Sequence, residues 1–192
     1  MSSNPPAPAL FVERVRGIEL QLRTRPGVFS ARGLDEGTRL LIQHVDLSDA
    51  TLVADLGCGA GPIGIAAARL APRAHVHLLD EHLRAVDVAR DNVRLNGARN
   101  AEVFLSDLFS AVGASRYSHV LSNAPARLGN VFIEELVHAA VAHLTPNGAL
   151  WLVVVSNVRP VFERVLVRLG ARPETVARGR RHVVLRARPG ET

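Results

Sequence analysis

From residue 51 onward the chain alternates, and that alternation confines it to one fold class. Short apolar runs recur at 51–57 (TLVADLG), 74–80 (AHVHLLD), 101–107 (AEVFLSD), 118–123 (SHVLSN) and 149–155 (ALWLVVV). Between them lie segments with apolar residues at helical spacing, at 61–71, 82–97, 130–144 and 158–170. Strands that alternate with helices pair in parallel and carry helices on both faces of the sheet. Upstream, 34–45 has helical spacing, and 17–30 alternates like a strand before turning at Pro26-Gly27. Thr145-Pro146-Asn147-Gly148 is expected to end the helix over 130–144. The last segment, RPETVARGRRHVVLRAR (172–188), reads as two strands around a Gly-Arg-Arg turn, an antiparallel addition to the sheet edge.

A chain of 192 residues, 47% of them hydrophobic, suits a single core. The expected division is a flexible, Pro-rich lead-in over 1–16, one domain over 17–188 and a short tail over 189–192. The opening MSSNPPAPAL lacks the basic and apolar regions of a signal peptide, and no apolar run approaches the ~20 residues of a membrane helix. The expected location is therefore the cytoplasm, without a membrane partner. A single cysteine, Cys58, cannot form an internal disulfide, which fits a reducing compartment. All 23 residues counted as Lys or Arg are Arg, for a formal charge of +5. A GC-rich genome produces that bias; it also gives the chain affinity for phosphate, which Arg grips with two parallel hydrogen bonds.

The segment VADLGCGAGPIG (53–64) runs a strand into Gly57, Gly59 and Gly61 and then starts a helix with Pro62 in its first turn. Such a loop lets backbone approach a ligand at a helix N-terminus. Gly59-x-Gly61-x-x-Gly64 alone also fits the dinucleotide fingerprint. Three acids narrow the choice. Asp55 ends the first of these strands, where a carboxylate pointing into the cleft would bind an ammonium group and would repel a pyrophosphate. Asp80 ends the second strand, where an acid takes ribose hydroxyls. Asp107 ends the third, placed for an adenine amino group. An amine, a ribose and an adenine together describe S-adenosylmethionine.

On these residues the chain resembles the class I S-adenosylmethionine-dependent methyltransferases. More narrowly, TRPGVFSARGLDEGTRLLI, VADLGCGAGPIG and SNAPARLG, in this order, resemble the catalytic domain of the ribosomal RNA small subunit methyltransferase C family, whose members methylate guanine N2. The resemblance covers residues 17–188 and implies a Rossmann-like, seven-stranded, mainly parallel sheet with a C-terminal antiparallel hairpin. It implies that Asp55, Gly57, Gly59 and Gly61 cradle the methionine part, Asp80 the ribose and Asp107 the adenine. Cys58, Glu81 and Leu108 lie beside them in the same set. It also implies ribosomal RNA or the small ribosomal subunit as partner. The resemblance also implies that full-length bacterial relatives carry a second, N-terminal domain, which is not expected within these residues.

In that family the loop after the fourth parallel strand reads Asn-Pro-Pro-aromatic. Here Asn123 matches, Ala124 replaces the first proline and keeps its carbonyl, Pro125 matches the second, and Ala126 replaces the aromatic ring. The polar pair orients an exocyclic amine, so Asn123, Ala124 and Pro125 are the candidate catalytic set. The ring that would stack on a base, worth roughly 1–3 kcal/mol, is missing. Phe29 or Phe132 is a candidate substitute, although each also suits a core position. Arg127, Arg180 and Arg181 are candidate RNA contacts; the latter two equally suit a solvated turn. A methyltransferase acting on a protein or small molecule, or a cofactor-binding module without turnover, stays open as an alternative. The eight histidines show no metal-ligand spacing, so no metal is expected.

Overall fold

The computed structural model describes residues 9–25, 33–124 and 129–190. Its centre is a seven-stranded sheet. In chain order the elements are strands β1 (Ala9–Val15) and β2 (Ile18–Thr24), helix α1 (Glu36–His44), β3 (Leu52–Leu56), α2 (Pro62–Leu70), β4 (His75–Asp80), α3 (Leu83–Leu95), β5 (Ala101–Leu105), β6 (Tyr117–Asn123), α4 (Asn130–Ala142), β7 (Leu144–Val155), α5 (Arg159–Arg168), β8 (Arg172–Arg178) and β9 (His182–Arg188). The sheet order is β5-β4-β3-β6-β7-β9-β8, while β1 and β2 pair separately. Strands β3 to β7 are parallel; β9 runs antiparallel to β7, and β8 antiparallel to β9. This is the Rossmann-like arrangement that the alternation and the resemblance imply.

The core has two layers. Leu41 and Ile42 of α1, Ile65 of α2 and Val86 of α3 pack on one face of the sheet. Ile133, Leu136 and Val137 of α4 and Phe162, Val165 and Leu166 of α5 cover the other. The central strands are apolar in succession because helices bury them on both sides. Strand order reverses between β3 and β6, so the carboxyl ends of these two strands open a crevice. Asp55 lies opposite Leu121, which puts Gly57 level with Asn123.

Two expectations need correction. Residues 9–15 belong to a strand, not to a flexible lead-in. Beneath the Pro-rich composition runs an alternation, LFVERV, that pairs with β2 residue by residue from Ala9↔Thr24 to Val15↔Ile18. Thr145–Gly148 does not separate α4 from a later strand. These residues lie inside β7, as a bulge: two steps on β6, from Tyr117 to His119, face five on β7, from Leu144 to Ala149.

The β1–β2 hairpin is docked by two asparagines. Asn96 Oδ1 accepts from Gln21 N (2.9 Å) and its Nδ2 donates to Gln21 O (2.7 Å). Asn92 does the same for Arg23, at 2.7 and 2.9 Å. Four helical residues advance about 6.0 Å and two strand residues about 6.6 Å, so amides one turn apart on α3 imitate a neighbouring strand. Asn92 also donates to Ala60 O (2.9 Å), tying the hairpin to the glycine loop. Asn92 is fully buried. Asn92→Ala leaves three backbone groups without their partner, that of Ala60 buried, and is expected to lower stability by about 2 kcal/mol; urea midpoints check this, with the less buried Asn96→Ala losing less.

Candidate functional site

A cavity of about 1090 Å3 occupies the crevice between β3 and β6. Its lining divides by chemistry. One side carries the loop after β3 (Gly57, Cys58, Gly59), the end of β4 (Asp80, Glu81) and the turn after β5 (Ser106, Asp107, Leu108). The other side carries Asn123 and Ala124 from the end of β6, Asp35 and Thr38 from the start of α1, Phe132 from α4 and His182 from β9. The ends of β4 and β5 thus bring Asp80 and Asp107 to one rim.

Asp80 shapes the first side. Its Oδ2 accepts from Gly59 N (2.8 Å) and its Oδ1 from His82 N (2.9 Å), which fixes the carboxylate beside the loop. Oδ1 also meets the His82 ring at Nδ1 (3.2 Å), whereas Oδ2 keeps a second lone pair for a hydroxyl donor. Leu108 has φ 46°, a left-handed backbone uncommon for a branched residue. Ser106 Oγ donates to its carbonyl (2.8 Å) and holds the turn that carries Asp107. The Cys58 thiol is buried, and burial, with the charges of Asp55 and Asp80, pushes it well up, away from the thiolate form.

Asp55 departs from expectation. It does not line the cavity. It lies fully buried beneath the loop, with Oδ2 accepting from Gly64 N at 2.7 Å. The N-cap of α2 is Gly61, which has no side chain to bond the first turn. Gly64 is the third residue of that turn, so Asp55 supplies the missing capping bond from across the loop. Gly61 likewise packs rather than lines: its φ is +85°, and a Cβ there would come within 2.8 Å of Leu78 Cδ2. Burial first, and the Asp80 charge further, push the Asp55 carboxyl up to about 7 despite the Gly64 bond. Its Oδ1 has no hydrogen-bond partner among the described residues.

On the second side, Asn123 is held by α1. Its Nδ2 donates to Asp35 Oδ1 (3.2 Å) and Oδ2 (3.4 Å) and to Thr38 Oγ1 (3.0 Å). A carboxylate only accepts, so the NH2 end must face Asp35, and Oδ1 has no hydrogen-bond donor among the described residues. Ala124 N donates to Val153 O (3.1 Å), extending the sheet by one residue beyond Asn123. Asp35 and Thr38 lie in TRPGVFSARGLDEGTRLLI, a segment that carries the resemblance but assigns them no role; their own signal is an acid three residues before a threonine at a helix start. Next to Asp35, Glu36 accepts from the amides of Arg180 and Arg181 and pairs with His182 Nδ1 (3.2 Å). The Arg181 amide, with His182, holds its carboxyl below the usual range. The Arg180 and Arg181 side chains are exposed at this turn and do not line the cavity. Phe29, Pro125, Ala126 and Arg127 lie outside the described residues.

The profile of the methyltransferase small domain matches residues 19–186. An uncharacterized protein of Bacillus subtilis (strain 168), YbxB, is 34% identical over 143 residues, 73% of this chain and 71% of its own. Ribosomal RNA small subunit methyltransferase C of Hamiltonella defensa is 35% identical over 173 residues, 88% of this chain and 50% of that protein. The solved structure of a T. thermophilus 16S rRNA N2 methyltransferase in complex with AdoMet and guanosine superposes with a TM-score of 0.82 over 96% of this chain and 51% of that one, at 24% identity. The chain thus spans about half the length of these two methyltransferases.

The Asp55 carboxyl gives a pH signature. Its folded pKa lies above the unfolded value near 4, so between about pH 4 and 7 the folded state binds the extra proton. Stability falls as pH rises through that window, by about 4 kcal/mol in all. Asp55→Asn keeps an acceptor for Gly64 N and removes the ionisation. The variant's advantage over the wild type is expected to grow from little at pH 4 or below to about 4 kcal/mol at pH 8, measured as the difference between their urea unfolding curves.

Proposed function

This chain belongs to the methyltransferase small domain family, and from that premise we propose that it transfers a methyl group from S-adenosylmethionine to an exocyclic amine of guanine in ribosomal RNA. The cavity side with Gly57, Cys58, Gly59, Asp80, Glu81, Asp107 and Leu108 suits that cofactor. A Cβ on Gly57 would meet no protein atom within 4 Å, so glycine there leaves cavity space that a side chain would fill. Asp80 accepts the ribose hydroxyls, and Asp107 on its turn accepts the adenine amine. A diphosphate in the same place would face two carboxylates. Asp55 acts on this side through the loop it anchors, not by touching the ligand.

The observation that carries the reaction is the orientation of Asn123: its NH2 is taken by Asp35 and Thr38, and the residue lines the cavity level with the glycine loop. Asn123 Oδ1 and the Ala124 carbonyl accept the two N–H bonds of the acceptor amine. The nitrogen lone pair, otherwise shared with the purine ring, turns toward the methyl group. The cofactor supplies that methyl on a sulfonium, which leaves as a neutral thioether, so alignment is the main demand on the protein. Pro125 joins this set on the sequence alone. The relatives named for ribosomal RNA support the acceptor class, as does a net charge of +5 carried by Arg. Arg180, Arg181 and Arg127 are placed in the sequence to take phosphates, and Phe29 or Phe132 to stack on the base; Phe132 lines the cavity.

Ala126, standing where the family has a ring, favours a second reading: a methyltransferase whose acceptor is a protein or a small molecule. Methyl-labelled cofactor separates the two, offered with undermodified small subunits, deproteinised RNA and a small-molecule extract. Label is expected in RNA and expected to fall on the order of a hundredfold with Asn123→Ala. Label confined to another fraction rejects the RNA reading. The Arg180→Ala/Arg181→Ala variant is expected to keep its cofactor affinity and to lower the salt slope of RNA binding by about 0.7 for each phosphate it no longer neutralises, read by titration at several salt concentrations.

A further inference from the structure

We propose that Asp35 is the positioning residue that gives Asn123 its working orientation, an inference that rests on the role given to Asn123 above. A primary amide has two nearly isosteric ends, and turning it over exchanges an acceptor for a donor. At Asn123 the choice is made by α1. Both oxygens of Asp35 lie near Nδ2, at 3.2 and 3.4 Å. Thr38 Oγ1 gives its proton to Asp35 Oδ2 (2.7 Å) and so meets Asn123 with a lone pair, at 3.0 Å. Three acceptors face the same end of the amide, and a reversed Asn123 would set Oδ1 against all of them.

Asp35 is itself fixed. It is the N-cap of α1, with Oδ1 accepting from Thr38 N at 3.0 Å. The following residue, Glu36, ties the helix start to the amides of the β8–β9 turn. The carboxylate therefore has two separable tasks. Capping needs any short side-chain acceptor; orienting Asn123 needs a group that cannot donate. Asparagine at 35 keeps the first, since Asn caps as well as Asp. It gives up the second, because its own amide offers either end to Asn123.

Asp35→Asn tests this. The variant is expected to keep its unfolding midpoint and cofactor affinity, while kcat on undermodified small-subunit RNA falls about a hundredfold. In an Asn123→Ala background the same change is expected to cost nothing more, because a residue acting through Asn123 has nothing left to act on. Equal losses in both backgrounds would overturn the proposal. A second readout needs no turnover. The Asn123 side-chain N–H pair in a 15N spectrum is identified by its loss in Asn123→Ala. In Asp35→Asn that pair is expected to shift, and its exchange with water to speed up at least about tenfold once the carboxylate partner is gone. An unchanged pair overturns the proposal. A wild-type protein that labels no RNA would sink the base-methylation reading, and the spectrum would still decide the part played by Asp35.

Discussion

The parallel pairing of β3 with β6 is the constraint on which the site depends. These strands meet where the sheet order reverses, and their helices depart to opposite faces. No crossover fills the space above their carboxyl ends, so the cavity follows from topology. Paired strands lie about 4.8 Å apart. The glycine loop and the Asn123 amide are therefore neighbours before any ligand arrives, and their register is set by the pairing of Asp55 with Leu121. Ser122 Oγ donates to Leu56 O (2.8 Å), adding a side-chain bond across the same pair of strand ends.

Around that pairing, buried polar groups do what apolar packing cannot. Apolar contacts are non-directional and hold layers together without fixing a loop. The loop after β3 is fixed by directed bonds: Asp55 to Gly64 N, Asp80 to Gly59 N, Asn92 to Ala60 O. Asp55 is the costly member, since desolvation works against its charge. What it secures is a capped α2 whose first turn keeps a glycine at the cap, close against Leu78. A serine or aspartate at residue 61 would cap locally, but its Cβ would collide with that leucine. The capping acid sits on the strand because the cap position has to stay empty.

The local parts of this arrangement were legible in the sequence. Strand and helix periods, the glycine loop and acids at strand ends are patterns within a few residues, so β3, α2, β4, α3 and the cavity positions of Asp80 and Asp107 could be read directly. Longer-range facts could not. Proline-rich composition hid the alternation of 9–15, whose meaning emerges only once β2 is its partner. Thr145–Gly148 looks like a terminator because turn residues also build bulges. The inward turn of Asp55 depends on the helix it meets, and strand position alone does not choose between loop and ligand. Asp35 lies 88 residues from Asn123, and a helix cap reads the same whether or not its second oxygen is engaged.

The acceptor side of the cavity is encoded in two independent pieces. Orientation of the amide is set by β6, β7 and α1: Asn123 pairs with Val153, Ala124 N bonds Val153 O, and Asp35 with Thr38 holds the NH2. None of these contacts uses a side chain from 124–128. The stacking ring of the resembling family belongs instead to that loop, at the position of Ala126. On the proposed reading, a substitution there alters base stacking and leaves the Asn123 amide as Asp35 and Thr38 hold it. Polar alignment can thus be retained while the loop varies. On the proposed reading, the alignment of the acceptor is therefore a property of sheet and helix.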